Sequence, residues 1–290
     1  MKVAIFGSRN SKIDRISRMF DILQKHDIEL AVQDNFYRHI KSLGIRHNIG
    51  ETIKDDNFEA DMAISIGGDG TFLRTALKIG KKDIPIFGIN AGRLGFLADV
   101  SEKELETAIE DILYGKYRIE KRSLLKLTTE NKCFSGYDCA LNEIAILKQD
   151  TASMITIHAI VNGDYLNSYE ADGLIIATPT GSTAYSLSVG GPILTPTSSN
   201  FVISPIAPHS LTTRPLVVDD DCEITLDVVS RSGSFLISLD GRSEICPVGT
   251  RLTISKAEYY LNVIKRLNQT FFNTLREKLM WGADSRNTLS

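Results

Sequence analysis

The sequence predicts an α/β domain followed by an all-β domain: a Rossmann-like parallel α/β unit at the N-terminus and a β-sandwich-like unit after it. Three observations carry this. Short apolar runs alternate with helical periodicity through the first third of the chain, the pattern of a parallel sheet covered by helices. After about Gly115 the texture changes to short segments rich in Val, Ile, Leu and Thr, separated by turn residues. One amphipathic segment near the end returns to helical spacing, and a lone terminal helix needs a surface. It is expected to pack back on the first domain. The expected domains are residues 1–115 with 268–290, and residues 116–267.

Taken in order, Val3-Ala4-Ile5-Phe6 reads as a buried strand, followed by Ile13, Ile16, Met19, Phe20 and Leu23 at helical spacing. Strands are expected at 28–32, 60–66 and 84–89, with a helix over 72–79 stopped by Gly80. Ser101 with Glu104 three residues on forms a capping box ahead of Leu105, Ile109 and Leu113. In the second domain, strands are expected at 118–129, 141–147, 154–161, 173–177, 201–206, 222–229 and 234–239. Asn162-Gly163, Ser232-Gly233 and Asp240-Gly241 supply turns between them. Phe271, Phe272, Leu275 and Leu279 line one face of the terminal helix, with Asn268 as its cap and Gly282 beyond it.

A formal net charge of -3 argues against a nonspecific nucleic-acid binder, which carries a basic excess. No apolar run nears the about 20 residues a membrane helix needs. The first residues read as a strand rather than a leader. A soluble, cytoplasmic protein with no membrane partner is expected. Cys133, Cys139, Cys222 and Cys246 make no Cys-x-x-Cys pair and no zinc-finger spacing, so they are expected to be four ordinary thiols. No metal ligand set is expected.

The sharpest local signal is Gly67-Gly68-Asp69-Gly70-Thr71, between a buried strand and a helix. Ligands of parallel α/β folds gather at the carboxyl ends of strands. Glycines there let backbone approach a phosphate, and the helix N-terminus favours anions. A carboxylate in that place can take a proton from a hydroxyl or help hold magnesium. A second glycine-rich loop, Gly88 to Leu97, follows the next strand and can line the same crevice, with Phe96 a stacking platform for adenine. Asn142-Glu143 heads an apolar strand and could bond ribose hydroxyls or base nitrogens. The longest cluster runs from Asp172 to Leu194, and five Ser and Thr hydroxyls fall within residues 178–186. There is no P-loop and no His-Arg-Asp catalytic loop.

The first pentapeptide resembles the signature of NAD kinases, of lipid kinases acting on diacylglycerol or sphingosine, and of phosphofructokinases. The whole order is more specific. Gly-Gly-Asp-Gly-Thr, then Gly-Arg-Leu-Gly-Phe-Leu, Asn-Glu, and Asp-Gly-Leu-Ile-x-x-Thr-Pro-Thr-Gly-Ser-Thr-Ala-Tyr-Ser resembles NAD kinase over roughly residues 60–245, with the segments 205–211 and 239–242 extending the match.

That resemblance implies transfer of the terminal phosphoryl of ATP, with Mg2+ or another divalent cation, to the adenosine ribose 2′-hydroxyl of NAD. It makes Asp69 the proton acceptor. It gives dinucleotide contacts to Gly70, Arg74, Phe96, Asn142, Glu143, Asp172, Ala207 and Arg242, and to Thr183, Ala184, Tyr185, Ser186, Leu187 and Ser188. It sets Gly67, Gly68, Thr71, Asp240 and Gly241 near the phosphates. A crevice between the domains would take NAD lengthwise, and a homodimer or homotetramer is implied. Glu170 stands where relatives often carry a basic residue, and Arg242 where Gln or His is common. The competing readings are a lipid or sugar kinase and a noncatalytic dinucleotide-binding regulator.

Overall fold

Residues 1–9, 13–26, 28–45, 49–92, 95–130, 133–150 and 153–281 are described by a computed structural model, Arg15 and Glu102 by their backbone alone. Strand and helix alternate through β1 (Lys2–Gly7), α1 (Ile13–Gln24), β2 (Glu29–Gln33), α2 (Asp34–Ser42), β3 (Glu51–Ile53), β4 (Met62–Gly67), α3 (Asp69–Ile79), β5 (Ile86–Asn90), α4 (Leu105–Leu113) and β6 (Tyr117–Arg122). Strands then follow one another: β7 (Leu125–Thr129), β8 (Cys139–Ala140), β9 (Glu143–Lys148), β10 (Ile155–Val161), β11 (Asp164–Ala171) and β12 (Gly173–Ala177). After the short helix α5 (Tyr185–Ser188) come β13 (Asn200–Ile206), β14 (Leu216–Asp219), β15 (Ile224–Val229), β16 (Ser234–Leu239), β17 (Arg242–Pro247) and β18 (Leu252–Lys256). The chain closes with β19 (Leu261–Arg266) and α6 (Phe271–Leu279).

The chain divides into two compact units, residues 1–120 with 262–290, and residues 121–261. In the first, a seven-stranded sheet has the order β3-β2-β1-β4-β5-β19-β6. The pairs β1–β2, β1–β4, β2–β3, β4–β5 and β5–β19 are parallel. Val3 and Ile5 of β1, and Met62, Ile64 and Ile66 of β4, share a core with α1, α2 and α4. Helix α3 takes the opposite face, where Thr75 donates to Ser65 of β4 at 3.1 Å. Burial on both faces is why these strands carry no polar alternation.

Several elements differ from expectation. Helix α2 and strand β3 fall in a stretch with no assigned element in the sequence reading. The expected strand 118–129 is two strands, β6 and β7, in different sheets. Strand β19 falls inside the expected second domain, yet Val263 pairs with Ile86 in the parallel sheet. Helix α6 belongs to the first unit and sets the Phe271 ring 6.5 Å from Phe96. Its cap is Thr270, which accepts the Asn273 amide at 3.2 Å, rather than Asn268. Gly282 lies outside the described residues.

In the second unit, six-stranded sheets β11-β10-β15-β18-β7-β8 and β14-β13-β12-β9-β16-β17 share one core. Inward residues alternate along each strand, as Ile155, Ile157 and Ala159 do in β10 and Leu174 and Ile176 in β12. The outer face of β12, Ile175 and Ala177, is covered too, by Val189 and Leu194. The expectation of four thiols is corrected here. Cys133 and Cys246 form a disulfide, Cα atoms 5.5 Å apart across 113 residues, while Cys139 and Cys222 stay free and buried. Cys246 is the inward residue of β17, and Ser135 bonds Glu244 of that strand, so the fold aligns two residues whose spacing carries no signal.

A buried ion pair fixes the first unit beside its second glycine loop. Lys265 of β19 meets Asp99 at 2.6 Å, with side chains 8% and 7% exposed. Removing the cation strands a carboxylate away from water. Lys265→Met is therefore expected to cost about 3–5 kcal/mol of stability, read by denaturant unfolding. A loss under ~1 kcal/mol would mean that Asp99 finds another partner.

Candidate functional site

The first unit builds a carboxylate site at the tips of β4 and β5. Asp69 opens α3, and Gly68 caps that helix with an extended backbone. Gly67 must be small: a Cβ there would lie 2.3 Å from the Thr71 hydroxyl. The second glycine loop folds over β5, where a Cβ on Gly88 would meet the Leu97 carbonyl at 2.5 Å. This brings three backbone amides onto Asp69. Phe96 N–H donates to Oδ2 at 2.9 Å, and Leu97 and Ala98 N–H donate to Oδ1 at 3.0 and 3.1 Å. Gly95 packs flat against the carboxyl group, and a Cβ there would fall 2.0 Å from Oδ1.

A carboxylate offers about four acceptor positions. Among the described residues Oδ1 accepts two bonds and Oδ2 one, which leaves one acceptor position on Oδ2 for a ligand. The surface beside it is open, since a Cβ on Gly68 meets nothing within 4 Å. Arg74 is exposed one turn along and donates to the buried Thr71 hydroxyl at 3.1 Å. Phe96 is half-buried, with Phe271 as a neighbouring ring. Arg93 and Leu94 of the same loop lie outside the described residues. Among the described residues there is no group of three or more His, Cys, Asp or Glu side chains able to hold a metal ion.

In the second unit a second polar cluster forms where β12 leaves its sheet. Thr178 clasps the Leu141–Glu143 turn, its hydroxyl donating to the Leu141 carbonyl at 2.5 Å and its amide to the Asn142 carbonyl at 2.9 Å. Gly181 sits so close that a Cβ would be 1.9 Å from the Asn142 oxygen. Asp240 accepts the Leu141, Asn142 and Glu143 amides at 2.7, 2.8 and 3.1 Å. With the backbone so tied, Asn142 Oδ1 and Glu143 Oε2 are buried with no partner among the described residues. Burial pushes the Glu143 carboxyl up to about 7, Asp240 adds to the rise, and the Tyr185 amide opposes it. Burial likewise raises Asp240, against its three amide bonds.

The hydroxyl-rich loop is ordered by its own hydroxyls. Ser182 donates to the Pro179 carbonyl at 2.7 Å and accepts the Leu194 amide at 3.0 Å. Ser186 is fully buried and pairs with Ser204 at 3.1 Å, so its hydroxyl is turned inward. Thr183, Ala184 and Leu187 are half-buried, and Tyr185 and Ser188 are exposed. Arg242 is also committed internally: its guanidinium donates to the Tyr137 and Cys139 carbonyls and stands 5.6 Å from the Phe134 ring. Gly241, at φ 81°, completes the β16–β17 turn.

Asp172 and Ala207 are not brought to this cluster. They lie at the opposite end of β12, where Asp172 N–H donates to the Ile206 carbonyl at 2.9 Å. The five residues of β12 separate Asp172 from Thr178, six steps of strand or about 20 Å. Asp172 pairs with Lys148 at 2.6 Å, and Ala207 is exposed with a left-handed backbone, φ 44°. Glu170 is exposed beside them, its carbonyl accepting the His209 amide. Sequence reasoning gave no individual role to Thr178, Gly95 or Lys148, although the first two fall inside the hydroxyl-rich and glycine-rich stretches it singled out.

Family models described as the ATP-NAD kinase N-terminal and C-terminal domains match residues 3–117 and 141–266. An NAD kinase of Bacteroides fragilis is 55% identical over 99% of this chain and 100% of that protein. One from Porphyromonas gingivalis is 47% identical over 98% and 99%. A crystal structure of yeast NADH kinase complexed with NADH matches with a TM-score of 0.87 at 23% identity, over 98% of this chain and 89% of that one, a likeness of fold. An NAD kinase from Archaeoglobus fulgidus, in complex with ATP, matches with a TM-score of 0.76 at 27% identity, over 97% and 99%.

Proposed function

The chain belongs to the ATP-NAD kinase family, and from that premise we infer that Asp69 takes the proton of the adenosine ribose 2′-hydroxyl of NAD as that oxygen is phosphorylated. The enzyme is an NAD kinase: the ribose oxygen bonds to the terminal phosphorus of ATP, the bond to the bridging oxygen breaks, and NADP and ADP result. Phosphoryl transfer asks for positioning and charge stabilisation more than covalent work. The acceptor is an unactivated hydroxyl, so a carboxylate within hydrogen-bond reach speeds its attack. The observation that carries this reading is the Asp69 carboxylate, held by three amides with one acceptor position left on Oδ2.

Gly67, Gly68 and Gly70 keep the helix start accessible to phosphate oxygens, and Arg74 supplies a cation beside it. Thr71 supports Arg74 from below. A divalent cation such as Mg2+ would come with ATP and would supply charge neutralisation at the transferring phosphoryl. Asn142 and Glu143 are assigned to adenosine, their open oxygens accepting from its hydroxyls or amine. Tyr185, with Thr183, Ala184 and Ser188, lines that site, and Asp172 with Ala207 meets the nicotinamide end.

NADP formation from NAD, ATP and magnesium, run beside diacylglycerol and fructose 6-phosphate, tests the assignment. Phosphorylation of NAD alone is expected, and turnover of lipid or sugar with NAD inert would overturn it. Among the described residues no helix is long and apolar enough to cross a membrane, and the supply of ATP and NAD points to the cytoplasm. A homodimer or homotetramer through the β unit is supported by exposed Leu216 and Val217 on edge strand β14 and Ile245 on edge strand β17. Light scattering should give two or four times 32.1 kDa, and a monomer at working concentration would contradict it.

A further inference from the structure

Asp240 and Gly241 form the two-residue turn between β16 and β17, where Leu239 pairs with Arg242. Both take left-handed backbones, φ 48° and 81°, the Asp-Gly hairpin turn in which the aspartate is chosen for its tolerance of that conformation. Nothing in the turn itself calls for an inward side chain. Here the carboxylate points in, and Oδ2 accepts Leu141 N–H while Oδ1 accepts Asn142 and Glu143 N–H. The Asp240 amide in turn donates to the Glu143 carbonyl at 3.2 Å. With Thr178 holding the Leu141 and Asn142 carbonyls, every backbone polar group of Leu141–Glu143 is paired.

We propose that Asp240 is a positioning residue for the dinucleotide: it tethers the Leu141–Glu143 turn so that Asn142 and Glu143 present their open oxygens, and it does not itself touch the ATP phosphates. A direct phosphate contact is disfavoured by charge: a carboxylate offers only acceptors, and a phosphate oxygen is itself an anionic acceptor with no hydrogen to donate, while the Arg242 guanidinium, which acts on Asp240, directs two of its N–H groups to the Tyr137 and Cys139 carbonyls. The turn's backbone has nothing left to offer a ligand, so recognition falls to the two side chains whose oxygens lack partners.

The tether also brings a like charge up to Glu143. The groups acting on the Glu143 carboxyl are Asp240 from the β16–β17 turn, which favours its protonated form, and the Tyr185 amide from α5, which favours the ionised one. A hydroxyl of adenosine donates better to an ionised Glu143, so NAD binding should strengthen as pH rises through about 7. Removing the Asp240 charge should move that limb to lower pH, which a merely structural residue would not do.

The proposal rests on the assignment of Asn142 and Glu143 to NAD, and the experiment separates the two. NAD affinity is measured by calorimetry from pH 5.5 to 8.5 for wild type, Glu143→Gln, Asn142→Ala and Asp240→Asn, with KM for ATP alongside. Expected is a roughly tenfold or greater weakening of NAD binding in all three variants. The pH limb should vanish in Glu143→Gln and shift downward in Asp240→Asn, with KM for ATP little changed. If Glu143→Gln and Asn142→Ala bind NAD as wild type does, the assignment of those two residues is wrong. If they weaken it while Asp240→Asn raises KM for ATP and leaves NAD binding and its limb in place, Asp240 is a phosphate-side group and the proposal falls. Amide hydrogen exchange on the unmodified enzyme decides the tether even if Asp240→Asn does not fold. Residues 141–143 should be protected without any nucleotide, and rapid exchange there overturns the proposal.

Discussion

Asp69→Asn is expected to fold, to bind NAD within a few-fold of wild type, and to lose about 10²–10⁴-fold in kcat for NADP formation. The amide oxygen can still accept the Leu97 and Ala98 N–H groups that now meet Oδ1. What is lost is the acceptor at Oδ2, replaced by an NH2 that cannot take a proton and that confronts the Phe96 amide. If positioning were all that Asp69 supplied, the loss would follow the hydrogen bonds and appear in KM as well. Steady-state kinetics with a separate NAD affinity distinguishes the two. Turnover near wild type would remove Asp69 from the proton-accepting role.

Gly95→Ala is expected to approach that loss without touching the carboxylate chemically. The new Cβ would lie 2.0 Å from Asp69 Oδ1 and 2.8 Å from Cγ, so either the side chain or the loop must move. Asp69 is short and pinned by three amides from the same loop, which leaves no rotamer that clears the methyl and keeps the bonds. A shift of about 1 Å at a reacting group costs on the order of 10²-fold. The expected result is a kcat roughly 100-fold down, with a thermal midpoint within a few degrees of wild type. Full activity in this variant would mean that the loop tolerates displacement and that its amides do not set the carboxylate.

These two residues mark how far the sequence could be read. Gly67 to Thr71 at a strand tip was legible, because a glycine cluster between a buried run and a helical pattern has few other uses. The amides of Phe96, Leu97 and Ala98 were not, since a backbone donor leaves no side-chain signature. The hydroxyl-rich segment 178–186 was legible as an ordered loop, but not which of its hydroxyls are used internally. A loop buried against β9 must pair its own polar groups first, so Thr178, Ser182 and Ser186 turn inward. The internal bonds of Arg242 to the Tyr137 and Cys139 carbonyls were not legible either, since a backbone acceptor leaves no mark in the sequence.

At the level of the fold, alternation of strand and helix was sufficient for the first sheet and short apolar segments for the second unit. Strand β19 escaped because its contribution is nonlocal: Val263 finds Ile86 across most of the chain length. The break between β6 and β7 escaped because a continuous β-compatible run does not reveal that its halves join different sheets. The Cys133–Cys246 bond is likewise a product of tertiary alignment over 113 residues.

A crystal structure of the unmodified enzyme with NAD bound measures the central contact itself. The account predicts Asp69 Oδ2 within about 2.6–3.2 Å of the adenosine ribose 2′-oxygen, with the Phe96, Leu97 and Ala98 amides still on the carboxylate. A dinucleotide seated with that oxygen facing another acceptor, and Asp69 occupied by protein amides alone, would contradict it.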